Sequence, residues 1–345
     1  MDERAGRVTV HDLARAAGVS LATVDRVLNG RSGVRPATAE KVEMAIERIG
    51  FRRDMTASML ARGRDLRAHF LLPDGTNQFM GKLADAAQNL GRLARAERGL
   101  FEIERIKAMD ARALAAGLDA INPETADCVV FVAIDKPEIH AAVTRAHKRG
   151  LKLITLVSDL PGSDRQAFIG IDNLAAGRTA ASLMGRFLPD GARVGLVAGS
   201  LGLIDHSQRI AGFREVIDAE FPSLQIAGPV EGQDAFSLTY ETVLAFLKAH
   251  PDLGGLYNVG AGNAGLIMAV NELGLAGKLR VIAHELTGPT RAGLESGAID
   301  LVLDQDPEAE LRAVWTSIKR LVLGADAADP PHRIEIKVFL RDNLR

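Results

Sequence analysis

A single cysteine, Cys128, stands in 345 residues. It cannot form an internal disulfide, and its apolar neighbours read as a buried strand, so a reducing cytosol is expected. Long hydrophobic runs are missing too. The longest unbroken one, Cys128 to Ile134, falls far short of the ~20 apolar residues of a membrane-spanning helix. The first residues, with Asp2, Glu3, Arg4 and Arg7, lack the apolar core of a secretory signal. Catalytic patterns are also wanting: there is no HExxH, no CxxC and no GxSxG around Ser200. Gly277-Lys278 is followed by Leu279 rather than by the Ser or Thr of a phosphate-binding loop. The eight histidines are scattered, and no metal or cofactor is expected.

What is present suits a folded chain of two or three domains, 47% hydrophobic and 25% charged. Its formal net charge of −2 is unevenly spread. Residues 1–64 hold twelve cations against eight anions, a net of +4, which leaves −6 for the rest. A basic head on an acidic body implies that only the head meets a polyanion.

The head reads as three short helices. Thr9 can cap the first, with Asp12 three residues on completing a capping box. Leu13 and Ala17 share an apolar face, and Gly18 permits a sharp exit. Ser20 caps a second helix, Leu21 to Leu28, whose Val24, Val27 and Leu28 point inward, and Asn29-Gly30 ends it. A third helix begins near Pro36 and buries Val42, Ala45, Ile46 and Ile49. This is a helix-turn-helix, whose second helix can enter the major groove of DNA. A plain helical subdomain would share the same pattern. Leu21 and Ala22 suit thymine methyls, and Arg26 lies one turn further, within reach of a guanine edge or a phosphate.

The run Val8-Thr9-Val10-x-Asp12-Leu13-Ala14-x-x-Ala17-Gly18-Val19-Ser20-x-Ala22-Thr23-Val24-x-Arg26-Val27-Leu28-Asn29-Gly30 resembles the signature of the LacI/GalR family of bacterial repressors. The pattern continues through Val34, Thr38, Val42, Ala45, Ile46, Gly50 and Phe51. Two departures stand out: Asp25 and Arg35-Pro36 each occupy places where the family carries Ser. Asp25 either pairs with a nearby Arg or accepts from a cytosine amino group. Residues 54–62 match the family's hinge helix, with Asp54 as cap and Ala57 and Leu60 at its small and intercalating positions. The alternative is a plain linker. The resemblance implies a homodimer on a pseudo-palindromic double-stranded operator, with paired hinge helices wedging Leu60 into the minor groove. The implied DNA-facing residues are Thr9, Ser20, Leu21, Ala22, Thr23, Asp25, Arg26, Asn29, Arg35, Ala57 and Leu60.

From residue 68 apolar strands alternate with amphipathic helices. Strands are predicted at His69–Leu72, Phe101–Ile106, Cys128–Ile134, Leu151–Val157, Phe168–Ile171, Arg193–Ala198, Leu224–Val230, Gly255–Val259, Leu279–Ala283 and Leu301–Asp304. Helices are predicted at Met80–Arg98, Ile139–Arg149, Ala175–Phe187 and Ser207–Glu220, among others. Repeated βα units imply parallel sheets with ligands at the strands' carboxyl ends. The fold class is therefore a small all-α head on an α/β body of two Rossmann-like lobes. The division is 1–50 helix-turn-helix, 51–65 hinge and linker, and 66–345 body, with lobe crossovers near 159–165, 286–292 and 323–332.

The body resembles the type I periplasmic sugar-binding fold, on Leu71-Leu72-Pro73-Asp74-x-x-Asn77-x-Phe79, Gly170-x-Asp172-Asn173-x-x-Ala176-Gly177-Arg178, Arg209-x-x-Gly212-Phe213 and Asp304-Gln305-Asp306-Pro307. The resemblance implies an effector shell of Asn77, Phe79, Ser158, Asp159, His206, Arg209, Asn258, Asn263, Glu285 and Gln305. Amides and acids with an aromatic face suit a monosaccharide, polyol or sugar acid; taken singly, each could be a strand-end cap. The usual Asn-Asp pair after the Gly255–Val259 strand is replaced here by Val259-Gly260.

Two rivals deserve weight. Gly260-Ala-Gly-Asn-Ala-Gly265 with Glu285 twenty residues on fits a dinucleotide fingerprint, hence a dehydrogenase, although it comes late among the βα units. A periplasmic transport receptor is the other, opposed by the head and by the absent signal peptide. The expected protein is not an enzyme but a cytoplasmic repressor without membrane contact.

Overall fold

The computed structural model describes residues 8–28, 32–51, 63–323 and 334–344. The head forms from local signals. Helix α1 (Val10–Ala17) starts where the Asp12 amide donates to the Thr9 hydroxyl oxygen (3.3 Å), and the Thr9 amide donates back to the Asp12 carboxylate (3.0 Å). Gly18, at φ 67°, makes the turn that a side chain would strain. In α2 (Leu21–Leu28) the Ser20 hydroxyl accepts from the Thr23 amide at 3.2 Å. Helix α3 (Pro36–Ile49) opens on proline, whose missing N–H is no loss at a helix start. Leu13, Ala14, Val24, Val42, Ala45 and Phe51 close the core between them.

The body consists of two parallel sheets. The first contains β1 (Leu66–Asp74), β2 (Gly99–Lys107), β3 (Cys128–Phe131), β4 (Lys152–Leu156) and β5 (Ala167–Ile169), in the order β2-β1-β3-β4-β5. Helices α4 (Gln78–Ala94), α5 (Ala111–Ala120) and α6 (Pro137–Lys148) link its strands. The central β3 is buried along its whole length, the all-apolar pattern of a strand covered on both faces.

The second sheet contains β6 (Arg193–Ala198), β7 (Gln225–Glu231), β8 (Leu253–Asn258), β9 (Arg280–His284), β10 (Leu301–Gln305) and β11 (Ile336–Phe339), in the order β11-β10-β9-β8-β6-β7. Only β11 runs antiparallel. Around it lie α7 (Asn173–Phe187), α8 (Ile204–Glu220), α9 (Phe236–Ala249), α10 (Asn263–Glu272) and α11 (Gly288–Ser296). In both sheets the strand order reverses beside the first strand in sequence, so each has a switch point where a crevice opens at the carboxyl ends.

Two of the expected crossovers are corrected. Residues 159–165 do not cross between lobes. They join β4 to β5, and Asp159 is tied down by Arg165 (2.6 Å) and by the Thr155 hydroxyl (2.7 Å). The crossing follows β5, at 170–173, because β5 pairs with β4 as the edge strand of the first sheet rather than opening the second. Residues 286–292 also stay in the second lobe, where Leu294 of α11 joins the core. The chain returns instead at Pro307. Helix α12 (Pro307–Leu323) packs Leu311, Val314, Trp315 and Ile318 into the first lobe. Gly99 leaves the space for Trp315, since a Cβ there would lie 2.6 Å from the indole. Residues 324–333, which contain most of the third expected crossover, lie outside the described residues. Strand β11 has no counterpart among the predicted strands.

Candidate functional site

The residues singled out in the sequence fall on two separate regions, one on the head and one in the body. On the head, Leu21 (41% exposed), Ala22, Asp25 and Arg26 share the outward face of α2, opposite buried Val24. Thr23 is half-buried, and Thr9, Ser20 and Arg35 are exposed at the starts of the three helices. Asp25 is not without a partner in the chain. The expected contacts Asn29, Ala57 and Leu60 lie outside the described residues.

In the body, a cavity of about 50 Å³ sits between the lobes. Thr76, Asn77, Gln78 and Phe79 line it from the first lobe, and Asp234, Asn263, Glu285 and Thr287 are among those lining it from the second. The lobes touch nearby, where the Lys82 ammonium donates to the Leu286 carbonyl at 2.6 Å.

Behind the cavity a buried polar layer ties the strand ends together. Arg209 of α8 is 1% exposed; its Nε donates to Asn173 Oδ1 (2.8 Å) and its Nη1 to the Val259 carbonyl (2.7 Å). Its Nη2 has no hydrogen-bond partner among the described residues. Asn258 Nδ2 donates to Asn263 Oδ1 (2.8 Å), and Asn263 Nδ2 donates to the His284 carbonyl (3.1 Å), joining β8 to β9. Gln305 Nε2 donates to Glu285 Oε1 at 3.4 Å. His206 is buried beside Asp205, and its Nδ1 accepts from the Ser200 amide at 3.2 Å.

Unmet hydrogen-bonding capacity is concentrated here. Besides Arg209 Nη2, buried Gln305 Oε1, Asp205 Oδ1 and both carboxyl oxygens of Glu310 have no partner among the described residues. Buried polar atoms left this way cost roughly 1–3 kcal/mol each, a cost that a polar ligand removes. Burial pushes Glu285 up to about 8 and Glu310 well above the usual carboxylate range, while Arg209 opposes both shifts. His284 is held neutral by burial and by the Arg209 charge, its Nε2 lying 2.8 Å from the Tyr257 hydroxyl.

Residues 9–54 match the family model for bacterial regulatory proteins of the lacI family, and residues 68–326 match the periplasmic binding protein domain. The chain belongs to the LacI/GalR family, with a periplasmic binding protein domain as its body. It is 41% identical over 83 residues to catabolite control protein A of Priestia megaterium, covering 24% of this chain and 25% of that one. It is 28% identical over 222 residues to the HTH-type transcriptional regulator pepR1 of Lactobacillus delbrueckii subsp. lactis, 64% of each chain. The chain thus spans only about a quarter of the length of the first curated relatives it matches. Among solved structures, a solute-binding protein of Burkholderia graminis C4D1M in complex with D-arabinose superposes with a TM-score of 0.74 at 22% identity. That match covers 81% of this chain and 96% of the other.

Within this LacI/GalR chain the expected effector residues fall into three groups. Asn77, Phe79, Asn263 and Glu285 line the cavity; Arg209, Asn258, His206 and Gln305 form or adjoin the layer behind it; Ser158 and Asp159 line neither this cavity nor its larger neighbour. Two roles change. Asn77 Oδ1 accepts from the Phe79 and Met80 amides (3.0 and 3.3 Å) as the cap of α4. Phe79, 1% exposed, belongs mainly to the first-lobe core rather than forming an open aromatic platform. Asp234, Asn173, Asp205 and Glu310 are absent from the sequence-derived shell. Asn173 stood inside a quoted fold motif, but Glu310 comes from a helix of the other lobe and carries no sequence signal.

The dinucleotide fingerprint has another explanation. A Cβ on Gly260 would lie 2.7 Å from Asp234 Oδ1, on Gly262 2.2 Å from Thr239 Oγ1, and on Gly265 2.3 Å from the Phe236 carbonyl. These glycines make room for the chain's own atoms, and β6 rather than β8 opens the sheet.

The raised carboxyls give a pH signature. Glutamate ordinarily ionises near 4.5, so from there to about 8 the folded chain keeps a proton on Glu285 that the unfolded chain has released. The Glu285 contribution to stability must fall as pH rises through this window and level off above it. The loss from this group is at most ~5 kcal/mol. Glu310 adds a change of the same sign. Thermal melts of ligand-free protein across the window should show a smaller pH slope for Glu285→Gln; an unaltered slope rejects the assignment.

Proposed function

We propose that the chain is a DNA-binding transcriptional repressor whose operator affinity is set by a polyhydroxylated effector held between the lobes. The supporting observation is the pairing, in one chain, of a lacI-type head with an interlobe cavity backed by unmatched buried polar atoms. In this reading α2 enters the major groove, with Leu21 and Ala22 against base edges and Arg26 on a guanine or phosphate. The exposed helix starts at Thr9, Ser20 and Arg35 meet phosphates. Asn29, Ala57 and Leu60 complete the contacts, and two copies of the chain cover a pseudo-palindrome. The effector's hydroxyls are donors for Gln305, Asp205 and Glu310 and acceptors for Arg209. Its preference for one lobe arrangement over another sets the sign of regulation, and the coupling is reciprocal. The cytoplasm is the place where such a protein meets DNA. No helix among the described residues is long and apolar enough to cross a membrane.

Selection of duplexes from a random pool, followed by titration with and without a panel of monosaccharides, polyols and sugar acids, tests the reading. Arg26→Ala should weaken the selected site by about 1–3 kcal/mol, roughly five- to 150-fold, and leave effector-induced thermal shifts unchanged. Loss of both functions together counts against separate sites. Wild-type protein that prefers no duplex over random competitor overturns the proposal.

A further inference from the structure

Beside the polar cavity lies a larger one of about 250 Å³, at the carboxyl ends of β1, β2 and β3. The two share Thr76, Asn77 and Asp234, so they are compartments of one interlobe space. Their chemistry differs. The larger is walled by Leu71, Met80, Ile106, Leu114, Val132 and Ile134, and Leu203 faces it from the second lobe.

The charged groups at its rim are engaged with neighbouring charges or a backbone amide. Lys107 pairs with Asp110 at 3.5 Å and Asp74 with Arg105 at 3.4 Å, while Asp234 accepts from the Ala261 amide at 2.8 Å. Met109 stands at the lip, 38% exposed and at φ 57°, an apolar side chain held at the cavity on a strained backbone. Across the interlobe space Phe236, 45% exposed, borders the polar compartment. Hydroxyls would find few free partners in the larger compartment. An apolar group would gain its walls.

We infer that the effector is amphipathic, a polyhydroxylated head carrying an aryl or short alkyl limb that fills the β1–β3 compartment. The inference rests on the effector reading above and specifies its ligand class. An aliphatic cavity of ~150 Å³ is enough to admit benzene, so this one holds an aryl ring or a short alkyl chain with space to spare. Each methylene-sized unit buried contributes about fourfold in affinity, so the limb sets the strength of binding while the polar layer orients the head.

Benzyl alcohol is a suitable probe of the limb compartment alone. In the full-length protein with ¹³C-methyl methionine, it should shift the Met80 and Met109 signals saturably, with assignment by Met80→Leu and Met109→Leu. Ala108→Phe, at a half-buried position on the lip, should weaken that response about tenfold or more by filling the space. Its thermal melt verifies folding, and Met109→Trp repeats the block from a second position. Absence of saturable shifts in wild type, or shifts that persist in both folded variants, overturns the inference. So does an aryl or short-alkyl glycoside that binds without displacing benzyl alcohol. Duplex selection by wild-type protein without any small molecule reports on the regulator reading separately, so the two failures are distinguishable.

Discussion

Gly212→Ala should lower the melting temperature by roughly 6–12 °C, an effect of ~3 kcal/mol or more. Helices α7 and α8 cross at two glycines. A Cβ on Gly212 would lie 2.1 Å from the Leu174 carbonyl oxygen, and one on Gly177 would lie 2.0 Å from the Arg209 carbonyl oxygen. Both obstacles are backbone atoms, which cannot rotate aside. The helices would have to separate, although alanine is the better helix former by about 1 kcal/mol. Separation would also move Arg209 and Asn173, one turn before Gly212 and Gly177, and stretch their 2.8 Å hydrogen bond. A weakened effector response should therefore accompany the loss of stability. Gly81→Ala is the control: it lies in α4, and nothing stands within 4 Å of its Cβ position. That variant should match or slightly exceed wild type, by up to ~1 kcal/mol. Calorimetry on the pair decides, and a Gly212→Ala melt equal to wild type rejects the close crossing.

Arg209→Met is the second large perturbation. From sequence alone, loss of this arginine should abolish effector binding and leave the fold intact. The structure alters that expectation, because the guanidinium is also structural. Its removal strands Asn173 Oδ1 and the Val259 carbonyl and takes away the cation that holds down the Glu285 and Glu310 carboxyls. Breaking such a buried arrangement costs about 3–5 kcal/mol. The deficit should depend on pH with a defined sign. Without Arg209 the folded carboxyls hold protons to still higher pH, so stability falls more steeply above pH 8 than in wild type. Denaturant titrations at pH 6 and pH 9 measure the difference. A deficit that is equal at both, or smaller at pH 9, rules out the electrostatic role of Arg209.

The legible parts of the chain were those fixed within a few neighbouring residues. Helix α2 has the predicted bounds because Ser20, Gly18 and the inward Val24 act over one or two turns. Ten predicted strands correspond to β1 to β10, since covered parallel strands are recognisable as apolar runs. Ser158 and Asp159 were expected at the effector because residues 159–165 resembled a crossing. The Thr155 hydroxyl of β4 donates to Asp159, and β5 pairs with β4 directly after the loop, so the segment stays in the first lobe. Asp234 was not singled out as a ligand residue, because its aim into both cavities depends on positive φ values at Gln233 and Asp234.

Sequence by itself therefore determined the head, the alternation of strands and helices, and the family. Tertiary structure alone decided where the chain changes lobes, which polar atoms remain unmatched, and that Glu310 from the first-lobe helix approaches Glu285 and Arg209 of the second. The physical reason is range: caps, turns and strand periodicity are set by neighbours in sequence. Burial, carboxyl ionisation and cavity shape are set by atoms brought together from segments well separated in the sequence.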